Sequence, residues 1–464
     1  MATAGLPARG KTHLAHAIQR YLRWLGVKCS VFSLGNARRE VLGSVSDLPD
    51  DYFADGPKKP GTHELRRTVL SRLQEKVEEF FQRGGQVAVY DASNTKRSQR
   101  QTIVKRFEAQ NVQVMFLESL CDDPKVIEDN IKYIVQFSPD FQGWDTDAVI
   151  HNLHKRISLH EQQYEPIERP TVPHIQLLNL GQRIVVNNVQ GYLQNRIVFF
   201  LMNIHDRNRI IYFARAGEAL IEHLYKADAE LSALGHQYAE ELCHFVMSLR
   251  QGNANDGSAS LSQLHNRSWI SPHTQPLSVV IGDEKRPLQV WCSARRRSQL
   301  TAEPFRMHGC RIVERTRLAE MNPGVVDGMS EAEIRERFPC ELEKKALEPY
   351  SFRFPRAESY HDLAVRLEPI IFELERARDD VLIIAQSSVL RCLIAYLQGN
   401  KPQEIPEIQV REGDLVEIWP QAYGVSTRVY SFWDPELMRE ERDRELAGRT
   451  GGIVTPEGHS SPAP

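Results

Sequence analysis

Eight residues near the start of the sequence match the pattern GxxxxGK[ST] in full: Gly5, Leu6, Pro7, Ala8, Arg9, Gly10, Lys11 and Thr12. Glycines at this spacing let successive backbone N–H groups turn toward phosphate oxygens, and the amino end of a following helix adds a favourable dipole. Lys11 can then hold the β- and γ-phosphates of ATP, while the Thr12 hydroxyl coordinates Mg²⁺. A chance glycine-rich turn before a helix is the alternative, but the helical pattern after Thr12 favours a phosphate-binding loop.

A carboxylate that could complete this site follows an apolar run at residues 87–90. Asp91 comes directly after that run, which reads as a buried strand. The carboxyl ends of parallel strands meet at one edge of a sheet, so Asp91 can face the phosphates and share the metal ion with Thr12. An aspartate that merely ends a strand in a turn is the alternative.

The elements that would carry these residues alternate between helices and strands. Apolar spacing predicts helices at 12–25, 64–82 and 100–109, and strands at 28–33, 86–90 and 112–117. This alternation predicts an α/β fold with a doubly wound parallel sheet of the P-loop NTPase type. Only residues 1–4 precede the loop, and their β-propensity is weak. Either the recorded start is truncated or the strand before the loop is weak, and both would lower stability and nucleotide binding.

A second α/β region follows a helix predicted at 188–203. Strands are predicted at 289–292 and 381–384, and helices at 330–338, 358–377 and 387–397. We therefore predict two domains, at 1–206 and 207–432, with a surface insertion at about 252–276 that is rich in Asn, Ser, Gly and His. The charged tail at 433–464 is predicted to be disordered.

Composition excludes several classes of function. The chain has 464 residues, with 58 Lys and Arg against 61 Asp and Glu, a net charge of −3. This balance gives no electrostatic basis for binding nucleic acid or an anionic membrane, and no apolar run approaches the roughly 20 residues that cross a bilayer. The seven cysteines are scattered without zinc-site spacing. We therefore expect a cytoplasmic protein with reduced thiols, no nucleic-acid partner and no membrane partner.

Further segments, taken with the loop, resemble the bifunctional 6-phosphofructo-2-kinase/fructose-2,6-bisphosphatase family. In the first half they are FSLGNARRE at 32–40, VAVYDASNTKR at 87–97, FLESLCDDP at 116–124, SPDF at 138–141 and RIVFFLMNIH at 196–205. In the second half they are WCS at 291–293, RLEPIIFELER at 366–376, VLRCLIAYL at 389–397 and QAYGV at 421–425. The resemblance covers about residues 5–431, and the combination is more specific than any single motif.

The resemblance implies transfer of the ATP γ-phosphoryl group to the 2-hydroxyl of fructose 6-phosphate, which makes fructose 2,6-bisphosphate. Such chemistry depends mainly on positioning and charge neutralisation. The family pattern also implies a homodimer. It assigns ATP binding to the loop and Asn130, catalysis to Lys11, Asp91 and Cys121, magnesium to Thr12 and Asp91, and the sugar phosphate to Arg38, Arg66 and Ser93.

The chain departs from the family pattern where the sugar phosphate would bind. Val135 stands where the family has a lysine, Ile184 and Asn188 replace a tyrosine and an arginine, and Gln99 replaces an arginine. Each lost cation would remove a charge-assisted hydrogen bond worth roughly 1.5–3 kcal/mol. Nearby cations are candidates to replace them: Lys96, Arg97, Arg100 and Lys132.

The second half resembles a histidine-phosphatase (phosphoglycerate-mutase-like) domain that lacks both catalytic histidines. The family's Arg-His-Gly-Glu motif reads Arg215-Ala216-Gly217-Glu218 here, and Gln386 takes the place of the second histidine. Alanine offers no nucleophile, and glutamine cannot carry the proton. The phosphate-binding arginines of the family correspond to Arg215, Arg297 and Arg391, and Asp327 stands near its acidic proton donor. Two interpretations of these arginines are equally compatible with the sequence. They form a pocket that binds phosphate without hydrolysing it, or they are surface residues of a decayed domain.

Three functions are compatible with these residues. The first is a kinase-dominant enzyme that makes fructose 2,6-bisphosphate and has lost the bisphosphatase activity. The second is an ATP-binding pseudoenzyme that regulates an active relative, and the third is a P-loop kinase for another small alcohol. The loop and Asp91 favour an enzyme, whereas Val135, Ile184, Asn188, Ala216 and Gln386 favour the pseudoenzyme.

Overall fold

The computed structural model describes the chain except residues 44–47, 50, 54–58, 142–143, 169–171, 205–208, 221–227, 252–285, 422–423 and 451–464. The predicted insertion at 252–276, the last residues of the tail and most of the predicted domain boundary lie outside the described residues. None of the described helices is long and apolar enough to cross a bilayer.

The first half is built around a mixed, mostly parallel sheet. Its strands are β1 (Ala2–Ala4), β2 (Cys29–Ser33), β3 (Val87–Asp91), β4 (Phe116–Leu120), β5 (His174–Leu178) and β6 (Arg183–Asn187). Their order is β2-β3-β1-β4-β5-β6, and the edge strand β6 runs antiparallel to β5. Helices pack around it: α1 (Lys11–Trp24), α2 (Leu34–Leu42), α3 (Pro60–Gln82), α4 (Arg97–Glu108), α5 (Pro124–Phe137), α6 (Thr146–Glu161) and α7 (Tyr192–Leu201).

The short strand before the loop lies at the centre of this sheet. β1 pairs in parallel with both β3 and β4, through Ala2 with Phe116, Thr3 with Leu117 and Ala4 with Glu118. Its three residues are almost completely buried. Weak intrinsic propensity is overridden here because ladder hydrogen bonds on both sides and burial hold the strand.

The second half contains a second mixed sheet. Its strands are β7 (Ile211–Arg215), β8 (Leu288–Ser293), β9 (Arg311–Arg315), β10 (Asp380–Ala385), β11 (Asp414–Gln421) and β12 (Gly424–Ser431). Their order is β12-β11-β7-β10-β8-β9, with β11 and β12 antiparallel. The helices are α8 (Ala233–Arg250), α9 (Arg296–Ala302), α10 (Pro304–Met307), α11 (Glu331–Arg337), α12 (Pro339–Leu347), α13 (Tyr360–Arg376), α14 (Ser387–Gln398) and α15 (Pro435–Thr450). The predicted α/β fold is confirmed in both halves.

Helix α15 lies in the tail that the sequence predicts to be disordered. Asp434 accepts hydrogen bonds from the backbone N–H groups of Glu436 and Leu437. Arg439 pairs with Glu218 of the second half at 2.9 Å. The difference arises because this charged segment gains a cap and a tertiary ion pair, neither of which its composition reveals.

Helix α1, which follows the loop, packs against the second half. Its buried face shares one hydrophobic core with α13 and α14. Members of this core include Leu14, Ile18, Leu22, Leu367 and Leu393. The residues that begin with Lys11 are therefore held from both halves of the chain.

Candidate active site

Two glycines let the loop fold back over the end of β1. Gly5 has φ +132°, and a Cβ atom added there would lie 2.5 Å from the carbonyl oxygen of Ser119. Its N–H donates to the carbonyl oxygen of Ser93 at 2.9 Å. Gly10, at φ 74°, is the residue immediately before α1. Since the left-handed region disfavours residues with a Cβ atom, both positions favour glycine.

Side chains from neighbouring elements brace the loop. Asn130 of α5 donates its amide N–H to the carbonyl oxygen of Ala8 at 3.1 Å. Arg9 points inward, with only 5% of its surface exposed, and donates to the carbonyl oxygens of Cys121 at 2.9 Å and Pro7 at 3.1 Å. Asn130 and Cys121 are thus brought to the loop, as the resemblance implies.

Cys121 reaches the loop through its backbone rather than its thiol. Its carbonyl oxygen accepts the hydrogen bond from Arg9, while its sulfur lies 3.9 Å from the carbonyl oxygen of Asp123. Burial raises the pKa of the Cys121 thiol. A protonated thiol is a poor nucleophile, so this geometry gives Cys121 a supporting position.

Lys11, Thr12 and Asp91 converge at the carboxyl edge of the sheet. Thr12 donates its hydroxyl to Asp91 Oδ2 at 3.0 Å, and Thr3 donates to Asp91 Oδ1 at 3.3 Å. Lys11 Nζ lies 2.5 Å from the carbonyl oxygen of Leu6. Burial lowers the pKa of Lys11 to about 8, and the negative charge of Asp91 opposes the shift. Lys11 therefore remains cationic at neutral pH.

The Thr12 hydroxyl and the Asp91 carboxylate fit a magnesium ion. Mg²⁺ prefers oxygen ligands at about 2.0–2.1 Å in octahedral geometry, so two adjacent ligands lie about 3 Å apart. The distance between Thr12 Oγ1 and Asp91 Oδ2 is 3.0 Å. Mg²⁺ commonly takes one or two protein ligands and completes its shell with water and phosphate oxygens. These two residues meet that requirement beside a phosphate-binding loop.

The predicted sugar-phosphate arginines lie on α2 and α3. Arg38 is 4% exposed and forms an ion pair with Asp140, which also pairs with Arg39 at 2.6 Å. Arg66 donates to the carbonyl oxygen of Tyr52 at 3.4 Å, and its guanidinium lies 5.8 Å from the centre of the Tyr52 ring. The short SPDF segment thus supplies the counterion that orients two arginines.

The loop and these arginines line one cavity of about 1950 Å³. Ser93 and Asn130 also line it, so the predicted nucleotide and sugar-phosphate residues meet in one space. Sequence reasoning missed Arg156 of α6, whose guanidinium lies 4.1 Å from the centre of the Phe53 ring. No motif marks that helix. Further cationic residues that line the cavity with Arg38 and Arg66 include Arg39, Arg67, Lys96 and Arg156.

The second-half residues gather at the carboxyl ends of β7 and β10. Ala216 and Gln386 are 5% and 7% exposed. With its amide oxygen facing the guanidinium, Gln386 accepts hydrogen bonds from Arg297 Nε at 2.9 Å and Nη2 at 3.1 Å. Arg297 Nη2 also pairs with Glu320 at 2.7 Å. The acidic side chain at Arg297 is therefore Glu320, which sequence reasoning missed.

The other residues predicted for this second site differ in their surroundings: Arg391 and Arg215 make hydrogen bonds, whereas Asp327 is exposed. Arg391 donates to the Tyr360 hydroxyl at 2.9 Å, and the backbone carbonyl oxygen of Arg215 accepts from Tyr238 at 2.9 Å. Asp327 is exposed beside a short turn. The predicted acidic partner Asp327 is therefore wrong by position: Glu320, seven residues earlier in the sequence, is the carboxylate that contacts Arg297.

Comparison with known proteins gives the family. Residues 2–208 match the family model described as 6-phosphofructo-2-kinase, and residues 283–431 match the histidine phosphatase superfamily (branch 1). A 6-phosphofructo-2-kinase/fructose-2,6-bisphosphatase of Aquarana catesbeiana is 33% identical over 447 residues, or 95% of this chain and 86% of the relative. The chain belongs to this bifunctional family.

Two further family members show the same extent of similarity. A provisionally named 6-phosphofructo-2-kinase/fructose-2,6-bisphosphatase of Saccharomyces cerevisiae is 36% identical over 89% of this chain and 79% of its own length. The Homo sapiens 6-phosphofructo-2-kinase/fructose-2,6-bisphosphatase 1 is 34% identical over 90% of this chain and 81% of its own length. The resemblance noted in the sequence is confirmed.

The positions that depart from the family pattern have different environments in this family member. Gln99 lines the cavity, whereas Val135 packs against an apolar cluster that includes Phe141. Ile184 packs against the main core. Asn188 is exposed with φ 49°, a left-handed conformation that asparagine tolerates better than most residues. Packing and turn geometry account for the last three side chains without a ligand.

Among the four candidate replacement cations, Lys96 lines the cavity. Arg100 is buried, and its guanidinium donates to backbone carbonyl oxygens, including that of Asn94 at 3.0 Å. Arg97 and Lys132 are exposed. Of these four cations, Lys96 is therefore the one that lines the cavity, as Arg156 also does.

Proposed function

We propose that this chain is a 6-phosphofructo-2-kinase that transfers the γ-phosphoryl group of ATP to the 2-hydroxyl of fructose 6-phosphate. The observation that carries this proposal is the 3.0 Å hydrogen bond between Thr12 and Asp91, with the buried Lys11 beside it. These groups lie in the same cavity as Arg38 and Arg66. The family of the chain supplies the identity of the two substrates.

The nucleotide end of the cavity is organised for charge neutralisation. The backbone N–H groups of the loop and the Lys11 ammonium bind the β- and γ-phosphates, and the loop is pre-organised because Arg9 and Asn130 hold its carbonyl oxygens. A magnesium ion bound by Thr12 and Asp91 would further neutralise the phosphate oxygens. Lys11 stabilises the negative charge that is redistributed during transfer.

The acceptor end is organised for an anionic sugar. Arg38 and Arg39 both pair with Asp140. One carboxylate therefore faces two guanidinium groups, which leaves a net positive charge on this group of three side chains. Guanidinium groups match phosphate oxygens in geometry and bind them through charge-assisted hydrogen bonds. Arg66, Lys96 and Arg156 add cations to the same lining. This lining favours a phosphorylated sugar over an uncharged alcohol.

An assay of product formation tests the proposal. The full-length chain is incubated with Mg-ATP and fructose 6-phosphate, and fructose 2,6-bisphosphate is measured against a Lys11→Ala control. We expect product with the wild type and a loss of at least about 100-fold in the variant, since a lost charge-stabilising group costs several kcal/mol in a transition state. In a parallel assay, unphosphorylated fructose replaces fructose 6-phosphate as the acceptor.

Each outcome decides between the three candidate functions. Product from fructose 6-phosphate alone supports the 2-kinase. Transfer to other small alcohols at equal rates would assign a different P-loop kinase. ATP binding with no product above the Lys11→Ala background at millimolar substrate would assign a pseudoenzyme.

We propose further that the second half does not hydrolyse fructose 2,6-bisphosphate. Ala216 cannot form a phosphoenzyme, and Gln386, which accepts from Arg297, cannot serve as a proton carrier. Incubation with labelled fructose 2,6-bisphosphate should give neither labelled protein nor phosphate release. Phosphate release that disappears in Arg215→Ala would contradict this assignment.

The site assignments, the two-domain division at 206/207, a homodimer and a cytoplasmic location remain predictions.

A further inference from the structure

The cavity continues along α1, away from the nucleotide loop, to the junction of the two halves. Thr12, His16 and Arg20 are spaced four residues apart on one face of the helix, and all three line the cavity. At 1.5 Å per residue, Arg20 lies about 12 Å along the helix axis from Thr12. The second half contributes Arg209 and Glu375 to the lining at this end.

The polar side chains at this junction are almost completely buried. Arg20 is 7% exposed, and Arg209 and Glu375 are each 4% exposed. Arg209 donates to one oxygen of Glu375 at 2.9 Å, and Tyr396 donates to the other at 2.6 Å. Both oxygens of Glu375 therefore already accept hydrogen bonds from side chains of the second half.

Arg20 has no comparable partner. It forms no hydrogen bond or ion pair with any residue in the described part of the chain, and its buried Nε is unsatisfied, as is the Nε of Arg209. Burial favours the neutral form of Glu375, yet the charges of Arg209 and Arg20 keep its pKa below the ordinary value. Two buried guanidinium groups thus accompany one carboxylate.

Neighbouring groups do not remove this excess of positive charge. Burial lowers the pKa of His16, which favours a neutral imidazole. Asp380 is engaged by Arg250 at 2.6 Å. The exposed Arg378 lines the same end of the cavity and adds a further cation. An uncompensated buried cation is unfavourable, and a bound anion would relieve it.

We propose that the junction binds a small dianion of the phosphate-monoester class, held by Arg20 and Arg209. Guanidinium groups bind such oxygens through paired, charge-assisted hydrogen bonds. The anion would link α1 of the first half to the entry of β7 in the second half. This site is separate from the phosphate-binding loop, from the Arg38 and Arg66 acceptor end and from the second-half site at Arg297.

Equilibrium dialysis of labelled inorganic phosphate tests this site in the full-length chain, with Mg-ADP at saturation to fill the loop. The Arg20→Gln variant should bind one phosphate per chain fewer than the wild type. Arg376→Gln is the matched control, because Arg376 is an exposed arginine next to Glu375; it should bind as the wild type does. Arg20→Lys, which retains the charge but loses the planar fork, should bind more weakly than the wild type.

Thermal unfolding separates ligand binding from a structural role. Without phosphate, Arg20→Gln should unfold close to the wild-type temperature, because the substitution breaks no hydrogen bond or ion pair within the described part of the chain. Phosphate should raise the wild-type Tm by a few degrees more than that of the variant. Equal phosphate binding by wild type and Arg20→Gln, or an equal fall in Tm with and without phosphate, would overturn the proposal.

Discussion

The folded chain changes the pKa of Lys11 so that this side chain gains or loses its charge within the pH range of ordinary assays. Burial lowers its pKa to about 8, against the attraction of Asp91. Because the proposed contact with phosphate requires the cationic form, nucleotide use by the loop should depend on pH. The residue type and spacing alone predicted a phosphate-binding lysine, but the size of its pKa shift depends on burial in the folded chain.

The linkage predicts how ATP use varies with pH. With a pKa of about 8, Lys11 is mostly protonated at neutral pH in the free protein and loses its charge as the pH rises through that value. We therefore expect kcat/KM for ATP to fall about tenfold per pH unit in the alkaline range. Initial rates between pH 6.5 and 9.5 measure this decline. The residual activity of Lys11→Ala should lack the step near pH 8, and a flat wild-type profile up to pH 9.5 would contradict the assignment.

In the second half, the residue types at the predicted site can be read from the sequence, whereas their contacts cannot. The absence of imidazole at Ala216 and Gln386 can be read directly from the sequence. The contacts of Gln386 and Glu320 with Arg297 could not be predicted, because they join segments far apart in the chain. Asp327 was chosen for its position in sequence, whereas tertiary packing brings Glu320 to the arginine.

At the scale of elements, the strand–loop–helix unit from β1 to α1 depends on close backbone packing. Strands with apolar runs were predicted well, as at β3 and β10. The prediction for β4 ended at residue 117, since Glu118 and Ser119 are polar, yet both are buried and hydrogen-bonded. Buried polar residues with partners in other elements give no periodic signal in the sequence.

Gly5→Ala is predicted to damage this unit. The added Cβ would lie 2.5 Å from the Ser119 carbonyl oxygen, at a φ of +132° that residues with a side chain rarely adopt. We expect a loss of about 1–3 kcal/mol in the free energy of unfolding, together with loss of ATP binding. Urea unfolding and nucleotide titration measure the two effects.

Gly61→Ala is the matched control for this substitution. Gly61 lies in helix α3, and an added Cβ would meet no heavy atom within 4 Å. Alanine is favoured over glycine in helices by roughly 0.5–1 kcal/mol, so this variant should be unchanged or slightly more stable. Equal stability and ATP binding in Gly5→Ala and Gly61→Ala would refute the proposed loop geometry.

At the scale of the molecule, the two halves form a continuous core around α1. Tyr21 of α1 stacks on Phe200 with ring centres 4.5 Å apart, and its hydroxyl donates to Glu368 of α13 at 2.8 Å. Arg196 of α7 pairs with the same carboxylate. Amphipathic patterning predicted α1 and α13 individually, but it does not reveal which helix faces pack together. The second half therefore supports the helix that carries Lys11.

Removing this contact should weaken the whole chain. Glu368→Ala leaves Arg196 and the Tyr21 hydroxyl without their shared acceptor, and we expect a loss of about 1–3 kcal/mol in the free energy of unfolding. Glu373→Ala on the same helix is the control, since its more exposed pair with Arg315 lies within the second half; it should cost less than about 1 kcal/mol. Urea unfolding measures both variants, and an equal effect would argue against support across the halves.

Calorimetric titration of the folded, full-length chain with a non-hydrolysable ATP analogue measures nucleotide binding at the loop. We expect one nucleotide site per chain, whose affinity requires Lys11 and rises with Mg²⁺ in the wild type but not in Asp91→Asn. Heat that depends on neither Lys11 nor Mg²⁺, or no heat and no thermal protection at all, would contradict the assignment of the loop, Thr12 and Asp91 as a magnesium–nucleotide site.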